Sequence, residues 1–220
     1  PGGQDQLNYA VSEILQGEGA VFWLATYGAG LMRFDLEKKK AESVAFLPER
    51  EKNKVENNIY SLNMDSKGLL WIGTFGGGVF TYQSNGEIVT NHNPGAGERS
   101  GYSNTINRIF FDGDQKTWLA TSQGLQIYRP DGDMFENISI KKLLRKSESA
   151  DYIFDLMRDS SGLYWIGTKS GVYVLDKRKR SIVHYRAETN IPSKLAGSNV
   201  KAIGEDSCGN IWIGTDRGLN

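Results

Sequence analysis

Few residues of this sequence could carry acid–base, nucleophilic or metal chemistry. The chain has two histidines, His92 and His184, and one cysteine, Cys208. A structural zinc site takes four His, Cys or carboxylate ligands, and a catalytic one takes three. The sequence offers no third histidine, no carboxylate at ligand spacing and no histidine near Cys208. We therefore expect no metal, no cofactor and no catalytic residue, and we expect both histidines to be solvated structural residues on outer strands.

Aspartates form a second set of candidate groups, because they recur at one spacing. Paired carboxylates can act as general acid and base. Three of these aspartates, however, open the pattern Asp-x-x-Gly, in which Asp bonds the backbone of a tight turn and Gly takes a positive φ. The third repeat has Gln115 where Gly is expected. The pattern predicts turn stabilisation for all four residues, which are Asp65, Asp112, Asp159 and Asp206.

Tryptophan sets the period of the chain. Successive tryptophans are 48, 47, 47 and 47 residues apart, and similar text surrounds each (FWLAT, LWIGT, TWLAT, YWIGT, IWIGT). Self-similarity at this period is typical of propellers and other repeat arrays. We predict that the tryptophans are packing residues and that the small residue two positions later (Gly or Ala) lets the next blade approach closely. The tryptophans are Trp23, Trp71, Trp118, Trp165 and Trp212.

Each repeat reads as four short antiparallel strands that are apolar on both faces, which indicates one propeller blade. The predicted fold is an all-β propeller of four-stranded antiparallel blades, about 47 residues per repeat, forming a partial ring. We assign residues 1–220 to one propeller segment. Fourth strands are predicted at Ser43–Leu47, Ile88–His92 and Ile182–Tyr185, and a short helical turn at Lys141–Ser149. The repeats are approximately 8–56, 57–103, 104–150, 151–197 and 198–220, the last ending after its second strand.

Charge and hydropathy exclude several classes of partner. The chain has 26 Lys plus Arg against 26 Asp plus Glu, whereas a nucleic-acid binder shows a basic excess or a basic face. The basic runs Lys38–Lys40 and Lys177–Arg180 occupy equivalent turns and are predicted to form a solvated rim. No apolar run approaches the ~20 residues of a membrane span. We expect neither nucleic-acid binding nor membrane contact by this segment.

The sequence Asp-x-x-Gly-x-x-Trp-Ile-Gly-Thr-x-x-Gly, clearest in Asp159–Gly171 and Asp206–Gly218, resembles the two-component regulator propeller repeat. Asparagine at the head of the first strand fits it too, at Asn8, Asn57 and Asn104, with Asn199 one place off. The resemblance implies the periplasmic sensor region of a hybrid two-component system or sensor histidine kinase of the Bacteroides type. Such regions respond to glycan fragments. The sialidase Asp-box differs, because it places Asp two residues before Gly.

Turns and connectors on one rim of the propeller are the predicted binding surface, because loops on a rigid scaffold carry function. Aromatic side chains there could stack on sugar faces, and the cations could bond hydroxyls or carboxylates. Expected partners are an oligosaccharide, the remaining blades or an adjacent sensor domain of the parent protein, and a second copy in a homodimer. Two alternatives stay open, a protein-binding scaffold and a propeller lyase or hydrolase. The candidate ligand-binding residues are Tyr27, Phe75, Arg99, Tyr102, Lys169 and Arg217.

Overall fold

The computed structural model describes residues 9–45, 57–83, 88–92, 103–112, 116–129, 134–138, 152–179, 181–187 and 195–220. Within these ranges the regular structure consists of β-strands, with no helix. The described residues accordingly include no helix long and apolar enough to cross a membrane.

The strands form five antiparallel sheets in which neighbours in sequence are neighbours in space. The first sheet contains β1 (Ala10–Gln16), β2 (Val21–Tyr27), β3 (Leu31–Asp35) and β4 (Lys40–Val44). The second contains β5 (Ile59–Met64), β6 (Leu69–Thr74), β7 (Val79–Gln83) and β8 (Ile88–His92). The third contains β9 (Ile106–Asp112), β10 (Lys116–Thr121), β11 (Gly124–Arg129) and β12 (Met134–Ile138). The fourth contains β13 (Ile153–Arg158), β14 (Tyr164–Thr168), β15 (Gly171–Asp176) and β16 (Ser181–Tyr185), and the fifth β17 (Val200–Glu205), β18 (Ile211–Thr215) and β19 (Gly218–Leu219).

This architecture confirms the predicted β-propeller of four-stranded antiparallel blades, with two corrections. The fifth sheet has three strands, because Gly218 takes a φ of 129° and turns the chain back so that Leu219 pairs with Gly214. The fourth strand of the first sheet begins at Lys40, three residues before the predicted start. Lys39 has a φ of 52°, which closes the turn early and pairs Lys40 with Asp35. The helical turn predicted at Lys141–Ser149 lies outside the described residues.

Two compact units divide the chain, Pro1–Ile109 and Phe110–Asn220, and the division falls within β9. The assignment of residues 1–220 to one segment stays a prediction. In the first unit one apolar cluster joins the first two sheets, with Trp23, Leu31, Ile59, Ile72 and Phe80 among its members. In the second unit Trp118, Ile127, Ile153, Tyr164 and Tyr173 belong to a cluster that joins the third and fourth sheets.

Burial on both faces of the middle strands confirms the packing predicted from their apolar sequences. All six residues of β15 are buried, and so are the first four of β7. The small residue after the tryptophan is where sheets approach most closely. A Cβ added to Gly73 would lie 2.9 Å from Ile106 Cγ2, and one added to Gly167 would lie 2.9 Å from Val200 Cγ1. Real Cβ atoms do not come this close, so a side chain at either position would force Ile106 or Val200 to move.

Candidate functional site

The first strand of four sheets carries a β-bulge at the same repeat position. In the second sheet Ile59 pairs with Thr74 and Ser61 pairs with Gly73, so Tyr60 between them has no partner in the ladder. A bulge leaves one residue unpaired and re-aims its side chain, and bulges are common next to binding sites. The equivalent unpaired residues in the other three sheets are Ser12, Phe154 and Lys201.

In the first unit, the bulge residue Tyr60 lies between two aromatic side chains, one at the end of β2 and one directly after β6. Its ring stacks on Tyr27, with centroids 6.2 Å apart, and meets Phe75 edge-on at 5.6 Å. Tyr27 is 52% exposed and Phe75 is 44% exposed. We call these three residues the aromatic cluster. It places two large apolar rings in contact with water, side by side, on one rim.

Backbone hydrogen bonds fix the turns beside the aromatic cluster. Tyr27 forms a bridge with Asn58, and Phe75 forms one with Thr105. The turn glycines donate to the backbone carbonyl of the asparagine that precedes the next first strand. These bonds run from Gly28 N and Gly30 N to Asn57 O, at 2.8 and 3.0 Å, and from Gly76 N and Gly78 N to Asn104 O, at 3.0 and 2.9 Å. The aromatic rings therefore project from a rigid frame.

In the second unit, Lys169, Phe154 and Lys201 occupy the equivalent repeat positions, and Tyr152 lies two residues before Phe154. Lys169 Nζ lies 4.3 Å from the ring centroid of Tyr152, and Lys201 Nζ lies 3.4 Å from that of Phe154. The two rings are 4.5 Å apart. Burial lowers the pKa of Lys201, as does the charge of Lys169, while Asp216 raises it. We call Tyr152, Phe154, Lys169 and Lys201 the lysine cluster.

Four of the six predicted ligand-binding residues lie in the described structure. Tyr27 and Phe75 belong to the aromatic cluster, and Lys169 belongs to the lysine cluster. Arg217 is exposed and lines an open pocket of about 300 Å³ together with Leu195, Asp216 and four neighbouring residues. Arg99 and Tyr102 lie outside the described residues. The ligand contacts of all six stay predictions.

Sequence reasoning missed the bulge residues Tyr60, Phe154 and Lys201 and the neighbouring Tyr152. A signal was available, because Ile59-Tyr60-Ser61-Leu62 and Ile153-Phe154-Asp155-Leu156 break the apolar pattern of a buried strand at the same place. The polar residue after the bulge also has a role. Asp155 accepts a hydrogen bond from Ile203 N at 2.7 Å, and Glu13 accepts one from Leu62 N at 2.6 Å. Both bonds join the first strands of adjacent sheets.

Three of the four repeated aspartates stabilise turns, as predicted. Asp159 Oδ1 accepts from Leu163 N at 2.8 Å, and its Oδ2 accepts from Trp165 Nε1 at 2.7 Å. Asp65 and Asp206 make the equivalent bonds, including one from the tryptophan of their own repeat. Hydrogen bonds from the Asn210 side chain and Trp212 lower the pKa of Asp206 to about 2. These carboxylates hold hairpins rather than a reaction centre.

Asp112 has further partners outside its own repeat, and its predicted turn role stays a prediction because residues 113–115 lie outside the described residues. Its side chain is fully buried, and it accepts hydrogen bonds from Tyr164 Oη and from Lys177 Nζ, the latter at 2.9 Å. Arg158 pairs with its other oxygen at 3.4 Å. Burial alone would raise the pKa of Asp112, but the bonds from Tyr164 and Lys177 and the nearby cations lower it. Trp118 Nε1, which would be its turn partner, has no hydrogen-bond acceptor among the described residues.

Lys177 and His92 correct the sequence predictions. Lys177 was expected on a solvated rim, yet its Nζ lies 3.9 Å from the ring centroid of Tyr164 and 4.3 Å from that of Trp118. His92 was expected to be solvated, yet it is 8% exposed and stacks on Trp71 with centroids 5.8 Å apart. The tryptophan is wide enough to cover an imidazole on the outer strand β8, with β7 between them. His184 is half-buried and stacks on Tyr173.

Within the described ranges, no three His, Cys, Asp or Glu side chains are grouped so that they could hold a metal ion. Cys208 is an exposed free thiol in the Asp206 turn. The clusters described above can therefore bind and orient a ligand through stacking, hydrogen bonding and charge.

Comparison with known proteins identifies the repeat. A family profile described as "Two component regulator propeller" matches residues 53–76 and 194–217. A curated relative, "Histidine kinase P4" of Formosa agariphila, is 28% identical over 209 residues. That match covers 90% of this chain but 14% of the relative, so the chain spans a small part of that protein's length.

Two solved structures share the fold over nearly the whole chain. The extracellular domain of a hybrid two-component system from B. thetaiotaomicron is 27% identical, with a TM-score of 0.72 over 96% of this chain and 27% of that one. The extracellular domain of a one-component system from the same organism has a TM-score of 0.75 over 100% of this chain and 28% of that one. At 23% identity the second likeness shows the fold alone. The profile matches and the first of these structures agree with the motifs: residues 53–76 and 194–217 match the two-component regulator propeller profile, and the chain is similar to the extracellular domain of a hybrid two-component system.

Proposed function

We propose that this chain is the ligand-binding part of an extracytoplasmic sensor region, that it binds glycan-derived ligands on the rim that carries the aromatic cluster, and that binding is passed to a downstream histidine kinase. The remaining blades or an adjacent sensor domain of the parent protein would be the partner in that transmission. The likeness to extracellular domains of two-component systems supports the location and the pathway. The aromatic cluster supports the binding function.

The observation that carries the proposal is the exposure of Tyr27 and Phe75 on either side of Tyr60. Large apolar rings normally lie in the core, and an exposed group of them marks an interaction site. Pyranose rings present flat C–H faces that pack on aromatic rings, and tyrosine adds a hydroxyl that can bond a sugar hydroxyl. Both rings follow strands fixed by backbone bridges, so binding would cost little ordering of the protein.

Isothermal titration calorimetry against a panel of neutral and acidic oligosaccharides tests the proposal. The variant Tyr27→Ala/Phe75→Ala removes the exposed rings, and Tyr185→Ala is the matched control. Tyr185 is 50% exposed on the edge strand β16, so it has the residue type and exposure of Tyr27 without the cluster. Truncation of two anchoring aromatics is expected to weaken binding by at least about tenfold, whereas the control should stay within about twofold.

Circular dichroism and urea unfolding of both variants establish that the fold is intact. Equal affinity in the double variant and the wild-type chain would remove the aromatic cluster from the binding site. If the wild-type chain bound no oligosaccharide of the panel detectably, the result would contradict glycan binding. In that case the exposed rings would be better explained as a contact surface of a protein-binding scaffold.

A further inference from the structure

Equivalent repeat positions carry different chemistry in the two units. The position after the threonine of the second strand holds Tyr27 and Phe75 in the first unit, and Ser122, Lys169 and Asp216 in the second. The bulge position holds Ser12 and Tyr60 in the first unit, and Phe154 and Lys201 in the second. Because the bulge re-aims each of these side chains, the substitutions change the chemistry of the rim and leave the sheets as they are.

The lysine cluster brings two ammonium groups onto one pair of adjacent, mutually tilted rings. Phe154 contacts both Tyr152, at 4.5 Å between centroids, and Lys201, whose Nζ lies 3.4 Å above the phenyl ring. Lys169 covers Tyr152 at 4.3 Å. Neither lysine forms an ion pair within 4.0 Å in the part of the chain that the structure describes. Both side chains are exposed, so their remaining ammonium hydrogens can reach a ligand.

The lysine cluster has a net positive charge. Burial is the larger cause that lowers the pKa of Lys201, and repulsion by the charge of Lys169 lowers it further. Asp216 is the carboxylate that offsets it, and its Oδ1 already accepts a hydrogen bond from Asn199 N at 3.3 Å. Arg217 follows Asp216 on the same turn and restores the positive excess. A bound anion would relieve the repulsion that the unliganded site carries.

On these grounds we propose that the lysine cluster is an anion-selective subsite, which binds a saccharide bearing a carboxylate or sulfate group. The anionic group would accept hydrogen bonds from Lys169 and Lys201, and the sugar ring would pack against Tyr152. The inference rests on the proposed function, since it names the class of glycan ligand. Charge-assisted hydrogen bonds supply the selectivity, because they are roughly twice as strong as neutral ones.

Matched ligands test the subsite directly on the 220-residue chain. The probes are a glucuronate-containing disaccharide, its methyl ester, which keeps the shape and removes the charge, and a sulfated neutral disaccharide. We expect the charged forms to bind about tenfold or more tightly than the ester, a difference that falls as salt rises from about 0.05 to 0.5 M. Comparison of the carboxylated and sulfated probes shows which anion the subsite prefers.

Two further measurements locate the effect. Lys169→Gln and Lys201→Gln are each expected to remove most of the preference for charge, whereas the control Lys179→Gln keeps it, because that side chain is 80% exposed and pairs with Asp176. In the wild-type chain, the acidic disaccharide should protect Lys169 and Lys201, but not Lys179, from acetylation measured by mass spectrometry. This readout does not depend on the folding of a variant.

The outcomes separate this inference from the proposed function. Equal binding of the acid and its ester, with no effect of either lysine variant, would overturn the anion subsite and leave glycan binding at the aromatic cluster intact. A charge preference that the Lys→Gln variants keep would likewise overturn it, since the anion would then bind elsewhere. Loss of the preference in the lysine variants, with the effect of Tyr27→Ala/Phe75→Ala unchanged, is the result we expect.

Discussion

Replacement of Asp112 by alanine should destabilise the second unit by about 2–3 kcal/mol. The buried Tyr164 hydroxyl, on a residue 3% exposed, would lose its carboxylate acceptor, which costs about 1–3 kcal/mol. Removal of one partner of a fully buried ion pair costs about 3–5 kcal/mol. The full penalty is not expected here, because Lys177 and Arg158 have side chains 36% and 43% exposed and can turn to water. The small cavity left by the carboxylate adds to the loss from Tyr164.

Urea unfolding followed by tryptophan fluorescence and circular dichroism measures this loss, provided that the two signals change together. Asp159→Ala is the matched control, because its carboxylate bonds turn amides that water can reach, so its loss should be about 1 kcal/mol. Tyr164→Phe removes the hydroxyl alone, so it should reproduce part of the loss in unfolding free energy that Asp112→Ala causes. If Asp112→Ala cost no more than Asp159→Ala, the buried network would not be a stabilising element.

The stability difference between the wild-type chain and Asp112→Ala should also depend on pH, which provides a second check. The pKa of Asp112 is lowered in the folded chain, so its stabilisation is complete above the unfolded pKa of about 4. It is lost as pH falls through the folded pKa. The stability difference between the wild-type chain and Asp112→Ala should therefore be constant from about pH 7 to 5 and shrink below about pH 4. A difference that grows on acidification would contradict the assigned charge state.

The remaining predictions concern the repeat frame. Trp71→Ala should cost roughly 3–5 kcal/mol in urea unfolding, as truncation of a core aromatic, and a loss below about 1 would refute its packing role. Gly167→Ala should cost about 1–3 kcal/mol, because its Cβ would meet buried Val200, whereas Gly214→Ala should be tolerated, since its nearest neighbour is 3.6 Å away. Equal effects of the two glycine variants would refute the close-approach argument. NMR titration of the Asp206 carboxyl should give a midpoint near 2, below the ordinary value near 4; a midpoint near 4 would contradict its hydrogen bonds.

The sequence was sufficient to predict the blades because their determinants are local and repeated. The hairpin turns depend on an Asp side chain and a Gly of positive φ three residues apart, and both can be read directly: Gly68, Gly162 and Gly209 have φ values of 77°, 89° and 83°. The exception is the third repeat. Without the glycine after Asp112 the prediction of a turn had less support, but nothing local indicated that Tyr164, 52 residues away, would provide the partner.

Burial of His92 was unpredictable for a similar reason. The prediction depended on its place in an outer strand, where most polar side chains meet water. In the structure the ring is covered by Trp71, which belongs to the second strand of the same sheet and reaches across β7. Contacts across two strands depend on the size of the intervening residue and on twist, neither of which a linear pattern records. The same limit applies to Lys177, whose ammonium group lies over rings from two sheets.

The rim residues were missed because, at a bulge, the alternation of side chains along a strand no longer predicts where a residue points. In a regular strand, residue Tyr60 would point opposite to Ile59 and sit in the ladder, subject to the packing of the next sheet. The bulge removes it from the ladder, and so removes the constraint on its identity. The adjacent position illustrates the contrast, since it holds Val11, Ile59, Ile153 or Val200, all β-branched, and the last three are 0% exposed. The bulge position beside it accommodates serine, tyrosine, phenylalanine or lysine on the same frame. Binding chemistry can therefore change from neutral aromatic to cationic at one repeat position without loss of the fold, and this freedom is why the clusters, rather than the tryptophans or turn aspartates, are where ligand specificity should be sought.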